Sequence, residues 1–189
     1  WLRQVGSWPE RPLSFMQEYV AALRTLLGGE TASASGEVTL DGFALDASAV
    51  PSAAPDILLG VRGPKSMAAS GRIADGTLLA EPTTPEYARA SLAQIAAPGP
   101  HRLVAYNAAV VADDDASALA EVRPGLEWIG EPDWAPHLAT LDIAAEFAEF
   151  RASCASREEF AARMPEEWVS LLSLAGSPET VRARIRELG

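Results

Sequence analysis

The sequence predicts an α/β fold, and three observations carry that expectation. Short apolar runs at Ile57–Val61 and Thr77–Leu79 flank an alanine-rich segment of helical length, which makes a strand–helix–strand unit. Pro64, Pro85 and Pro178 each stand where a first helical turn would begin, a position that tolerates the missing N–H of proline. Arg102–Val111 (RLVAYNAAVV) is the longest strand candidate, mixing small and larger residues as a strand buried on both faces does.

Composition bounds the class. The chain has 189 residues, 48% of them hydrophobic and 22% charged, enough for one domain with a real core or for part of a larger one. No apolar run approaches the length needed to cross a bilayer, and no secretory pattern opens the chain. A single cysteine, Cys154, cannot form an internal disulfide, so a cytoplasmic protein is expected. Trp1 stands where an initiator methionine would, which predicts natural sequence upstream. Fifteen basic against twenty-six acidic residues give a formal charge of −11 with no basic stripe, so nucleic acid is not an expected partner, nor is a membrane.

Taken in order, the first helix is expected over Leu13–Leu27, where Leu13, Met16, Val20, Leu23 and Leu27 recur at steps of three and four. Ser14 and Gln17 have the spacing of a capping box, and Gly28-Gly29 supplies a stop. Residues 30–55 read as an excursion from the main sheet, with a hairpin over Val38–Leu45 turning at Asp41-Gly42. After the Ile57 strand, a helix of about ten residues follows Pro64 and ends near Asp75-Gly76, where Thr77–Leu79 begins. Thr84 caps a helix that starts at Pro85 and runs to about Ile95, and Pro98-Gly99-Pro100 turns the chain into the Arg102 strand. Asn107 is a polar member of that strand, able to meet a ligand or simply to satisfy its neighbours. Asp113–Asp115 precede a helix over Ala116–Val122, where acidic side chains suit the helix dipole and no EF-hand spacing follows. Trp128, Pro132 and Trp134–Pro136 mark an irregular aromatic section. Further helices are expected over Leu138–Arg151, Glu158–Met164 and from Pro165 through Leu174. The last begins at Pro178 behind the N-cap Ser177, with Val181, Ile185 and Leu188 on its apolar face.

The chemistry concentrates after the Ile57 strand. A helix start beside the carboxyl end of a strand is where α/β proteins bind ligands. Gly60 and Gly63 leave the backbone approachable, the helix start offers N–H groups, and Arg62 and Lys65 add positive charge to an acidic molecule. These residues fit a phosphate group; an ordinary exposed loop has the same composition. The spacing matches neither a P-loop nor GxGxxG. His101 and His137 sit in no metal-ligand pattern, and no metal is expected. No nucleophile elbow is present, and Cys154 reads as a packed thiol. An anion site without a visible nucleophile or base suits an enzyme whose cofactor does the hard step, and equally a protein without catalysis.

Leu59–Ser66 (LGVRGPKS) followed by Ala74–Leu79 (ADGTLL) resembles the C-terminal half of the bacterial luciferase-like monooxygenase superfamily. The closer similarity is to its deazaflavin-dependent branch, which includes methylenetetrahydromethanopterin reductase-like proteins. Leu2–Gly6, Glu18–Leu27 and Ala175–Glu179 agree with it, so the resemblance covers almost the whole chain. It implies the C-terminal part of a (β/α)8 TIM barrel over residues 1–189, incomplete in this chain, with sites at the carboxyl ends of the strands. It further implies coenzyme F420, preferred, or FMN as cofactor, and hydride or electron transfer to or from a small organic substrate. Mapped onto this sequence, Gly60, Val61, Arg62, Gly63, Pro64, Lys65 and Ser66 hold the cofactor phosphate. Arg3, Gln4 and Gly6 lie near the cofactor tail or substrate, and Asp75 and Gly76 shape the approach to the next strand.

Only three strands besides the hairpin are expected, too few for a barrel. Its unpaired edges then call for a missing N-terminal half or for a homo-oligomer. Two other classes compete with the oxidoreductase. One is a non-catalytic binding or scaffolding module using the Trp128–Trp134 section as an interaction patch. The other is a phosphate-binding barrel enzyme such as an isomerase, which shares the loop but not the flanking motifs.

Overall fold

The structure, a computed structural model, describes residues 2–189. Helix α1 (Pro12–Leu27) leads into the strands β1 (Ala32–Ser35) and β2 (Thr39–Phe43). Next come β3 (Leu58–Gly60), α2 (Pro64–Ile73), β4 (Gly76–Leu79), α3 (Pro85–Ile95), β5 (Arg102–Ala105) and β6 (Ala109–Val111). The remainder is α4 (Asp115–Val122), α5 (Ala135–Leu138), α6 (Ala144–Ala152), α7 (Arg157–Arg163), α8 (Glu166–Leu171), β7 (Leu174–Gly176) and α9 (Pro178–Leu188). The expected α/β alternation is present, and the βαβ unit stands at β3–α2–β4. Among the described residues the strands form sheets ordered β1–β2, β3–β4–β5 and β6–β7, without a closed barrel. No described helix is long and apolar enough to cross a membrane.

Backbone bonds show that β3, β4 and β5 run the same way. Ahead of β4, Asp75 donates its N–H to Ile57 O and accepts from Arg102 N–H, each at 2.9 Å. Past the other end, Tyr106 N–H donates to Leu79 O at 3.0 Å. The Asp75 carboxylate reinforces this start, accepting from Ile57 N–H at 2.8 Å and from the Arg24 guanidinium at 2.9 Å. These bonds, the Ile57 N–H first and Arg24 after it, hold the Asp75 carboxyl below the ordinary carboxylate range. A depressed folded-state value means the contribution is complete above the unfolded value near pH 4 and fades as pH falls through the folded one. Asp75→Ala is expected to cost about 1–2 kcal/mol at pH 7, because the Ile57 N–H loses its partner while the half-exposed ion pair adds little. Urea melts at pH 7 and pH 3 check this: the gap between variant and unmutated chain should narrow at pH 3.

The chain divides into two compact units, one from the start to Thr77 with Ile95–Leu103, the other Leu78–Gln94 with Val104–Gly189. The larger apolar core lies in the second. Phe147 meets Phe160 edge-on at 5.3 Å, and Phe150 meets Trp168 edge-on at 5.5 Å. Leu126, Met164, Val169 and Leu172 complete that cluster, all of them buried. In the first unit, Val20 is the fully buried residue of α1, and the rest of its apolar stripe is only half-covered.

Several local expectations are corrected. Asp41-Gly42 is not the hairpin turn. Pairing of Ala34 with Leu40 but Ala32 with Phe43 makes it a bulge in β2, which uses the positive φ of Gly42 (62°). The turn falls at Gly36–Val38, where Val38 N–H donates to the Glu18 carboxylate at 3.0 Å. The Ser14–Gln17 capping box does not form, because α1 starts earlier, at Pro12, with Arg11 as its N-cap. The strand expected over Arg102–Val111 is two strands in different sheets. Between them, Asn107 turns its amide to the Thr83 backbone, accepting from the N–H at 2.8 Å and donating to the C=O at 3.1 Å. The helix expected through Leu174 stops at Leu171, and Leu174–Gly176 pairs in parallel with β6. Outside the hairpin there are therefore five described strands, not three. The helix expected over Leu138–Arg151 is split into α5 and α6 by tight turns at Leu138–Leu141 and Leu141–Ala144.

Candidate functional site

The β3–α2 junction is built from the residues outward. Gly60 closes β3, Val61 and Arg62 lead away, and Gly63 is the N-cap of α2 in extended conformation (φ −87°, ψ 155°). Pro64 takes the first helical position, so the chain enters α2 with the N–H groups of Lys65 and Ser66 lacking intrahelical acceptors. Ser66 Oγ donates to Gly63 O at 2.9 Å, tightening the turn without capping those N–H groups. Met67, Ala69 and Ser70 bury the inner face of α2 and fix its axis. Ser70 Oγ lies 2.7 Å from Thr77 Oγ1, which in turn lies 2.8 Å from His101 Nε2, a polar chain that ties α2 to β4.

Gly60 through Ser66 all line one open cleft of about 900 Å³, together with Trp8, Pro12, Leu13 and Met16. Lys65 is exposed, with no ion-pair partner among the described residues, and Arg62 is half-buried. Gly63 is not demanded by the fold. Its φ suits any residue, and a Cβ there would meet nothing nearer than Ser66 Oγ at 3.7 Å. Its missing side chain leaves the backbone at the helix start uncovered, where N–H groups can meet an anion.

The starts of α4, α7 and α9 are filled by the chain itself. Asp114 accepts from Ser117 N–H at 2.9 Å, and that bond depresses its carboxyl. Asp115 accepts from Ser177 N–H at 2.6 Å and from Thr180 Oγ at 3.1 Å, occupying the start of α9, and the first of these bonds depresses it in the same way. The acidic run is thus a pair of caps. Ser156 caps α7. The α2 start has no such side chain, and neither do those of α1, α5, α6 and α8.

The remaining sequence candidates are placed as follows. Arg3, Gln4 and Gly6 form an exposed turn ahead of α1. The Arg3 guanidinium stacks over the Trp8 ring, 4.3 Å from its centroid, and so touches the cleft through that residue. Gln4 and Gly6 are not among the cleft-lining residues. Cys154 is buried with Sγ 3.3 Å from Phe150 O, a packed thiol. His137 is buried, its ring 4.3 Å from that of Tyr87. Among the described residues no group of three His, Cys, Asp or Glu side chains is placed to hold a metal. A second cleft, of about 390 Å³ beside Leu138 and Phe147, has the Glu131–Arg151 ion pair at 2.9 Å in its lining, which leaves that arginine already neutralised. Sequence reasoning missed Trp8, Leu13 and Met16 as cleft residues, reading the last two only as part of a helical stripe. Trp8, two residues past a glycine turn and five past Arg3, was the available signal.

Comparison with known proteins adds the relatives. A family model described as luciferase-like monooxygenase matches residues 2–189. A 5,10-methylenetetrahydromethanopterin reductase of Methanolobus tindarius is 29% identical over 199 aligned residues, 96% of this chain and 58% of that protein. The structure of the coenzyme F420 dependent tetrahydromethanopterin reductase from Methanopyrus kandleri superposes with a TM-score of 0.74 at 19% identity, over 94% of this chain and 54% of that one. The chain therefore spans little more than half the length of either. At that identity the structural likeness concerns the fold, an α/β arrangement related to the barrel of that protein.

Proposed function

The chain belongs to the luciferase-like monooxygenase family, and from that membership we propose that it is the cofactor-phosphate-binding part of an F420- or FMN-dependent oxidoreductase, F420 being preferred. The observation that carries the reading is the continuous Gly60–Ser66 wall, two basic side chains and an uncapped helix start facing one cleft. Both relatives named above are reductases, and one is named for coenzyme F420.

In this reading the Lys65 and Ser66 N–H groups, with the Arg62 and Lys65 side chains, bind the phosphate of the cofactor. Such charged hydrogen bonds are the strong ones. Gly60 and Gly63 keep the backbone close enough for them to form. When bound, F420 or FMN supplies the centre that takes up or gives a hydride or electrons to a small organic substrate. The Gly60–Ser66 residues anchor one end of the cofactor and thereby fix where its other end reaches. Completion of the barrel, by further strands of the same polypeptide or by a second copy, belongs to the same proposal and covers the sheet edges.

Titration of the 189-residue chain with oxidised F420 and with FMN, separately, tests this. Saturable 1:1 binding, tighter for F420, is expected. If neither binds, to this chain or to a longer form with the strands that complete its barrel, the oxidoreductase reading falls and a non-catalytic binding module takes its place.

A further inference from the structure

Trp8, Leu13 and Met16 have no part in the reading above. Trp8 is 47% exposed, and Leu13 and Met16 of α1 are half-buried; all three border the cleft that Arg62 and Lys65 border. A helix stripe of Leu and Met ordinarily closes against a core, yet here Leu13 and Met16 line the cleft among the described residues. A phosphate ion uses only the loop side. The volume, about 900 Å³ and largely open to solvent, leaves room for more than a phosphate ion. Arg3 covers one face of the indole at 4.3 Å, which fixes the ring and spends that face on a cation. The cleft thus has a cationic side and an aromatic–thioether side, the surface a flat apolar ring prefers.

We propose that Trp8, Leu13 and Met16 are binding residues for the planar ring system of the same phosphate-bearing cofactor, so that the cleft selects anions carrying a flat aromatic body over phosphate alone. The inference rests on the cofactor-phosphate reading of the Gly60–Ser66 loop. Arg3 is a positioning residue, acting through Trp8.

The test uses equilibrium dialysis with whichever of F420 and FMN the unmutated chain binds more tightly, plus inorganic phosphate as competitor. Trp8→Ala and Met16→Gln should each weaken cofactor binding about tenfold, leave the inhibition constant of inorganic phosphate within about twofold, and leave the melting curve in place. Trp8→Phe, which keeps a flat ring, should stay within about threefold of the unmutated chain. If Trp8→Ala proves unfolded, Met16→Gln and Trp8→Phe carry the comparison. Cofactor affinity unchanged in the alanine and glutamine variants overturns the ring wall and leaves the phosphate reading standing. So does an equal loss for cofactor and inorganic phosphate, which would place the effect on the loop. Failure of the unmutated chain, alone and in a longer form with the strands that complete its barrel, to bind either cofactor overturns both.

Discussion

Replacing Gly71 by alanine is expected to destabilise the chain by about 2 kcal/mol or more. Two effects of opposite sign compete at this position. Alanine in a helix interior is favoured over glycine by about 1 kcal/mol, so an open helix would gain stability. Gly71, however, is buried in α2, and a Cβ built on it falls 2.0 Å from Ile95 O, 2.9 Å from Ile95 C and 3.0 Å from its Cγ2. Two of those atoms are backbone, so relief requires moving a chain segment rather than turning a side chain. Packing wins. Gly76 makes the same case at the start of β4, where a Cβ would lie 2.5 Å from Arg102 O. Gly63→Ala is the control, with open space and a permissive φ, and should cost only the N-cap preference of Gly over Ala, about 1 kcal/mol or less. Thermal melts decide it: Gly71→Ala should melt roughly 4–12 °C lower, given about 2–4 °C per kcal/mol at this chain length. A melting temperature at or above that of the unmutated chain would mean that α2 does not approach the Ile95 carbonyl this closely.

That contrast between glycines shows what the sequence made legible. Gly60 and Gly63 were readable because they flank a strand end and stand beside Pro64, Arg62 and Lys65, a local pattern. Gly71 was not, since its reason lies in a carbonyl two dozen residues away. The same division runs through the fold. The βαβ unit, α3 and α9 were legible because proline, N-cap and periodicity agree locally at each. β7 was not, being three residues long and defined by pairing with β6. The break after Ala105 is set by the Asn107 amide reaching the Thr83 backbone, a tertiary contact without a sequence signal. On the candidate site, local sequence exposed the cationic side of the cleft. The apolar side remained hidden because a Leu–Met helical stripe is identical, as a pattern, whether it closes against a core or borders an open cleft.

The double variant Arg62→Ala/Lys65→Ala carries the other large effect, and on ligand affinity instead of stability. A hydrogen bond to a charged group is worth about 1.5–3 kcal/mol, roughly tenfold to 150-fold in affinity for each residue. Solvent around Lys65 reduces its share, and the α2 backbone N–H groups remain, so the double variant should bind F420 or FMN about a hundredfold more weakly rather than lose it outright. Loss of the exposed Lys65 charge should change stability by less than about 1 kcal/mol, since exposed charges contribute little to folding. The net charge moves from −11 in the unmutated chain to a more negative value, which itself disfavours an anion and makes the loss larger at low salt. Two controls separate contact from field. Raising the salt should shrink the difference between the unmutated chain and the double variant only in part, the remainder being the direct bonds. Arg62→Lys, which keeps the charge but loses the planar fork, should recover part of the affinity and not all of it. An affinity for either cofactor that is unchanged in the double variant would remove Arg62 and Lys65 from the site. A loss that vanishes at high salt would assign them a steering field in place of direct contact with the phosphate.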